Sequence, residues 1–593
     1  MIEPARSHRV APPRLRQRRS QPGRLPRLRS YGEAIASWWR LRSASPFWTA
    51  FPALSAAVLA LPLATIAALA FTAPANVWPQ LARTVLPSAL LDTAVLLLGV
   101  GLLTLAFGAC TAWLVTMCRF PGRALLDRLL VLPLAVPTYI VAYAYVELLD
   151  YTGPVQGVLR ALFGWQSARD YWFPEVRSMG GAILILSAVL YPYVYLSARA
   201  SFVQQSVCVL EVARTLGRTP AGVLWSVALP LARPALAGGV ALVAMECLND
   251  LGATQYLGVR TLSVSIYTTW LQQSNLGGAA QIALVALVIV VALVLAERAA
   301  RGESRFHHST GRYRAIPFTD LDGWRGAAAA GFCALPVVVG FVAPCALLAA
   351  QATAHVSEVL DTGFWQAACN SIGVAAVAAA VTVALGLLLA YAQRIAPNAV
   401  VRTAVASASL GYALPGTVLA LGLIIPLAAF DNRLDALLRA SVGISSGLLL
   451  SGSLFVIVLA YAIRFLAVAL AALEAGFARL SPNLDAAART LGETALSALW
   501  RVHIPLLAPA LGAAALLVFV DAMKELPATL LMRPFNFETL ATHVYSYAGL
   551  EQFEAATPGA LMIVLVGLIP VLLLHQAVAG GRAGGGGRAG RAD

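Results

Sequence analysis

The sequence predicts an all-α integral membrane protein with about twelve transmembrane helices. The chain has 593 residues, of which 59% are hydrophobic and only 12% are charged, whereas charged residues make up about a quarter of a typical soluble domain. Apolar segments of the roughly 20 residues that a bilayer requires recur from one end of the chain to the other. One polar stretch also occurs twice, which indicates two tandem halves.

The candidate spans are continuous apolar segments. They are 49–71, 93–117, 128–148, 181–200, 235–250, 279–297, 327–350, 370–391, 405–429, 445–470, 508–523 and 559–579. The fifth and eleventh are short and run into polar segments. Interrupted helices of this kind often line a polar path instead of facing lipid.

The basic residues predict membrane orientation. The formal net charge is +14, but the arginines lie in tails and loops beside apolar segments, so we do not expect nucleic acid as a partner. Residues 1–42 carry eleven arginines, which places the N-terminus in the cytoplasm by the positive-inside rule. The same rule predicts that Arg464 belongs to an inside loop. Twelve spans return the C-terminus to that side, in a bacterial inner membrane.

Cysteine and histidine do not form a metal-binding pattern. The seven cysteines have no close spacing typical of a metal site, and free cysteine is commonly a small buried residue. His307 and His308 are adjacent, but no further ligand-type residue follows at a recognisable spacing. We therefore expect neither a metal site nor a bound cofactor.

The internal repeat divides the chain. Residues 211–236 align without a gap on 486–511, at a constant offset of 275. The match continues downstream, where 246–254 aligns on 521–529. Both copies have the same predicted orientation. The predicted organisation is an arginine-rich tail (1–48), a first six-span half (49–300), a cytoplasmic linker (301–326), a second six-span half (327–579) and a Gly/Arg-rich tail (580–593).

The repeated segment reads as a polar loop with helical character. Its pattern predicts a short helix, a turn at Gly217 or Gly492, a second short helix carrying Trp225 or Trp500, and a stop at a proline. One such loop alone would be a plain surface connector. Two copies at fixed spacing on the same side favour a docking element for a partner.

The loops at 211–230 and 486–505 resemble the EAA loop of ABC importer permeases. In that family a glycine is followed ten residues later by an apolar residue and then by Leu-Pro, and the loop inserts into a groove on the ATP-binding subunit. The implied docking residues are Glu211, Ala213, Arg214, Gly217, Leu229 and Pro230 in the first copy and Asp485, Ala487, Arg489, Gly492, Ile504 and Pro505 in the second. Ala486 replaces the motif glutamate, with Asp485 one place early.

The resemblance implies the partners and a substrate class. It implies two copies of an ATP-binding subunit and a periplasmic or extracellular substrate-binding protein, with transport by alternating access. The segments 190–202, 246–270 and 521–541 resemble the two-domain permeases of ferric iron importers, so ferric iron is the favoured substrate. Permeases for thiamine, polyamines, sulfate or phosphonates share the loop and stay as alternatives.

The chain is predicted to be a transport subunit and not an ATPase. A P-loop needs the sequence Gly-Lys-Ser/Thr, and Lys524, the only lysine, follows Met523. ATP would therefore be used by the partner. An ion-coupled secondary transporter also has many spans and internal repeats, but it has no use for paired EAA-type loops.

Four acidic residues mark a candidate substrate path. Glu246 and Asp250 are spaced i, i+4, as are Asp521 and Glu525 at equivalent positions in the second half, which places each pair on one face of a helix. Such acids within a membrane are costly and usually face a cavity or a partner. Carboxylate oxygens suit a hard cation. The alternative is that the acids cap or pin helix ends, against Arg260, Lys524 or Arg533.

Overall fold

The computed structural model describes residues 46–72, 77–205, 213, 215–301, 318–354, 362–408 and 410–580. These residues are almost entirely helical, so the predicted all-α class is confirmed. Within them, eleven helices are long and apolar enough to cross a membrane, and a pair bent by 95°, Arg123–Ala135 with Thr138–Phe163, would make a twelfth. The arginine-rich tail, most of the linker and the C-terminal tail lie outside the described residues.

The described residues of the first half form twelve α-helices and one short strand. They are α1 Phe47–Thr72, α2 Trp78–Arg83, α3 Val85–Met117, β1 Cys118–Arg119, α4 Arg123–Leu129, α5 Thr138–Leu149, α6 Pro154–Phe163, α7 Met179–Gln204, α8 Pro220–Val223, α9 Leu229–Asn249, α10 Gly252–Tyr256, α11 Leu262–Tyr267 and α12 Leu276–Arg301. A 3₁₀ turn, Leu132–Ala135, precedes α5.

The described part of the second half begins with a short strand. Its elements are β2 Thr319–Asp320, α13 Trp324–Val337, α14 Ala343–Ala354, α15 Thr362–Ile395, α16 Ala399–Ala408, α17 Gly416–Val442, α18 Leu454–Ala478, α19 Asn483–Thr490, α20 Ala495–Ala498, α21 Ile504–Met523, α22 Pro527–Met532, α23 Leu540–Gly549 and α24 Phe553–Gly580. The strands β1 and β2 form a short parallel pair.

Several predicted span boundaries are wrong. The candidate at 128–148 is a broken pair of helices, and the one at 405–429 is interrupted before α17, whose N-cap is Pro415. The candidate at 445–470 begins late, at Leu454, because Gly443 ends the preceding helix with a positive φ and a loop that contains Gly447 follows it. The fifth and eleventh spans are longer than predicted, at Leu224–Asn249 and Ala495–Met523.

The predicted proline stop in each repeated loop is also wrong. Proline lacks an N–H and its ring clashes with the carbonyl four residues back. Here a π-helical turn, Leu224–Ala228 or Leu499–His503, comes immediately before Leu229 or Ile504. The wider turn accommodates the proline that follows, so the loop helix runs directly into the membrane span.

The two halves exchange their first spans. In the first half α3, α7 and α9 pack together, and α15, α18 and α21 do the same in the second. Helix α1 packs against α16 and α17 of the second half, whereas α14 packs against α5 of the first. The main hydrophobic cluster therefore contains buried residues of both halves.

Candidate functional site

A polar cavity lies where the two halves meet. Its volume is about 100 Å³. The ionisable and amide side chains around it are Glu246, Asn249, Asp250, Arg464, Asp521, Lys524 and Glu525, with Tyr139, Tyr193 and Tyr412 beside them. The structure thus brings together all four carboxylates that the sequence singled out.

Asp250 and Glu525 lie just past the ends of their helices, so the prediction that they continue a helical face is wrong. Helix α9 ends at Asn249 and α21 at Met523. Asp250 accepts a hydrogen bond from the backbone N–H of Thr254 at 2.9 Å. Glu525 accepts one from Ala528 N–H at 3.0 Å. Each carboxylate therefore caps the short helix that follows it, and it still lines the cavity.

The other two carboxylates have side-chain partners. Tyr412 donates a hydrogen bond to Glu246 Oε1 at 2.5 Å, across the boundary between the halves. Lys524 Nζ lies 2.9 Å from Asp521 Oδ1. Of the basic partners proposed from sequence, Lys524 is therefore the one that pairs with a path carboxylate, whereas Arg533 pairs with Glu538.

Arg464 also crosses the cavity, and its sequence assignment to an inside loop is wrong. It lies within α18 and is 5% exposed. Its Nη1 donates to Asn249 Oδ1 at 2.6 Å and lies 3.5 Å from Glu525 Oε1. A lone arginine inside an apolar segment is itself a signal of a functional position, and this signal was missed.

The second repeated loop is held by an internal carboxylate. Asp485 Oδ2 accepts from Arg394 Nε at 2.7 Å, and Oδ1 contacts His503 Nε2 at 2.8 Å. Burial alone would raise the pKa of the Asp485 carboxyl, but the hydrogen bonds from His503 and Arg394 hold that pKa below its usual value. Both carboxylate oxygens are thus engaged within the chain.

The predicted glycine turns are confirmed in both loops. Gly217 has φ of +81° and Gly492 has φ of +84°, and a Cβ on either would meet nothing within 4 Å. The neighbouring Leu216 and Leu491 are 78% and 84% exposed. Each loop therefore presents a tight turn with an apolar side chain at its tip.

The structure places the remaining docking residues as follows. Ala213 is buried, Ala487, Arg489 and Pro505 are exposed, and Leu229, Pro230 and Ile504 are half-buried, whereas Glu211 and Arg214 lie outside the described residues. Trp225 and Trp500 are exposed at equivalent positions. Their docking role stays a prediction.

The fold, the central cavity and the paired loops define a multi-pass membrane permease made of two like halves. Residues 104–301 match the family described as the binding-protein-dependent transport system inner membrane component, and the chain belongs to this family.

Three relatives illustrate the family. The chain is 26% identical over 489 residues to the Fe(3+)-transport system permease protein FbpB 2 of Haemophilus influenzae, covering 82% of this chain and 89% of that protein. It is 30% identical over 207 residues to the molybdenum transport system permease protein ModB of Escherichia coli, covering 34% of this chain and 87% of that protein. It is 29% identical over 193 residues to the putative 2-aminoethylphosphonate transport system permease protein PhnU of Salmonella choleraesuis, covering 32% of this chain and 66% of that protein.

Proposed function

We propose that this chain is the permease subunit of an ABC importer for ferric iron. The observation that carries the proposal is the match to the FbpB 2 protein, which extends over 82% of the chain. The matches to the molybdenum and phosphonate permeases cover about a third of it. The match to the FbpB 2 protein spans both halves.

The central cavity supports a cationic substrate. Four carboxylates and two basic side chains line it, so its formal net charge is negative. Carboxylate oxygens are suitable ligands for a hard cation, and they would repel sulfate, molybdate or a phosphonate. Among the described residues no group of three or more His, Cys, Asp and Glu is arranged to hold a metal ion. In this proposal iron meets the carboxylates of the cavity in transit.

The two loops supply the proposed coupling. In the proposed assembly both loops lie on the cytoplasmic side with the N- and C-termini, and one ATP-binding subunit docks on each. ATP-driven closure of these subunits moves the loops. Each π-turn joins its loop to α9 or α21 without a break, so a displaced loop moves the helix end at the cavity. This continuity is a direct mechanical link between ATP hydrolysis and the path.

Iron uptake by the reconstituted complex tests the proposal. The chain is placed in proteoliposomes with its ATP-binding subunit, and iron-loaded binding protein is added to the face opposite ATP. We expect ATP-dependent accumulation of iron. Binding protein loaded with molybdate or a phosphonate should support none, and transport of either anion in the absence of iron transport would refute the proposal.

A further inference from the structure

The acidic cavity contains two basic side chains, and both come from the second half. Arg464 and Lys524 occupy the positions at which the first half has Val189 and Asn249, at the offset of 275. All four residues line the cavity. The serines that cap α7 and α18 are separated by the same offset, so the correspondence holds in the structure. The halves are therefore alike in backbone but unlike in charge.

The two basic side chains do not neutralise all four carboxylates through short ion pairs. Lys524 pairs with Asp521, and both side chains keep partial exposure, at 29% and 23%. Arg464 makes its short hydrogen bond to an amide, and its contact with Glu525 is longer, at 3.5 Å. Its Nε is buried without a hydrogen-bond partner among the described residues. Arg464 thus leaves donor capacity unused inside the cavity.

Burial of like charges is costly unless opposite charges accompany them. Four carboxylates around one small cavity would repel each other, and the two basic groups reduce the formal charge to minus two. We propose that Arg464 and Lys524 are built-in counter-cations that set the net charge of the path, so that a cationic substrate competes with them for Glu525 and Asp521. This inference rests on the proposed cation transport.

Lys524 is the better position for a test. Lys524→Gln makes the cavity one charge more negative, so the cavity should bind the passing cation more tightly and release it less readily. In a low-dielectric site a unit charge a few ångströms away changes an equilibrium on the order of tenfold or more. We expect the amount of iron accumulated per ATP hydrolysed to fall by about tenfold or more. Lys524→Arg keeps the charge and should behave as the wild type.

The double variant Lys524→Gln with Asp521→Asn is the decisive one. It restores the net charge while removing the ion pair, so it should recover most of the iron-to-ATP ratio. A purely structural role for Lys524 predicts no recovery. The matched control is Arg439→Gln, which removes a cation that pairs with Asp435 at the exposed end of α17, away from the cavity.

The measurement is iron accumulated per ATP hydrolysed by the complete reconstituted complex. A low ratio in Lys524→Gln with recovery in the double variant supports the inference. A ratio that is equal in all variants of an active complex overturns the inference but leaves the proposed function standing. A wild type that does not import iron refutes the proposed function. If the wild type imports an anion instead, the same series is run with that anion. A loss of anion uptake in Lys524→Gln that the double variant does not repair then overturns the inference as well.

Discussion

Gly217 and Gly492 are the positions at which a single substitution should separate folding from coupling. Both have a positive φ, and a Cβ would meet nothing within 4 Å. Replacement by leucine therefore costs only the left-handed backbone strain, about 1–2 kcal/mol for an L-residue, and places a branched side chain at the loop tip. We expect Gly217→Leu and Gly492→Leu to insert in the membrane and to lose the ATP-binding subunit or its response to loaded binding protein.

The chain offers a matched control for this strain. Gly443 also has a positive φ, of +73°, with nothing within 4 Å, and it lies beyond the end of α17, at the opposite end of α18 from the second loop. Gly443→Leu should therefore lose a similar amount of stability and keep its coupling. Co-purification of the ATP-binding subunit, stimulated ATP hydrolysis and uptake are measured for all three. Normal uptake in both loop variants would contradict the docking role.

Three further predictions concern the carboxylates. Glu211→Ala should weaken stimulated ATP hydrolysis more than Asp485→Ala does, and equal, negligible effects would mean that neither acid contacts the partner. Because the folded pKa of Asp485 is lowered, its carboxylate stabilises the fold above the unfolded pKa of about 3.9 and loses this effect as the pH falls through the folded value. Asp485→Asn should therefore lower the unfolding temperature at pH 7. If the variant still unfolds below the wild type by the same amount at a pH under the folded pKa, this reasoning is contradicted. Asp250→Asn with Glu525→Gln should lower iron uptake and leave assembly and basal ATP hydrolysis intact, since an amide oxygen still accepts the capping hydrogen bond; failure to assemble would make these residues structural.

The fold class and the repeat could be predicted because both depend on local sequence patterns. Apolar length identifies a span, and the offset of 275 identified the equivalent residues. The helix that continues through Pro230 and Pro505 could not be predicted, since the local rule for proline predicts a stop. Only the π-turn before each proline removes the clash.

The acids of the site were predictable, and their partners were not. Glu246 and Asp521 stood out because charge is rare in apolar segments. Tyr412 is distant in sequence from Glu246, and only the packing of one half against the other brings them together. Arg464 falls near the inner end of the predicted span 445–470, where the positive-inside rule counts an arginine with the adjoining loop. The helix instead runs on to Ala478, which leaves Arg464 in its middle.

In the proposed assembly this chain couples the arrival of ferric iron outside to ATP hydrolysis inside. This coupling is tested most directly by the rate of ATP hydrolysis of the complete complex in nanodiscs, with binding protein added empty, iron-loaded or molybdate-loaded. The account predicts stimulation by the iron-loaded form well above that by the other two. Equal rates with all three, or stimulation by the molybdate-loaded form alone, would contradict it.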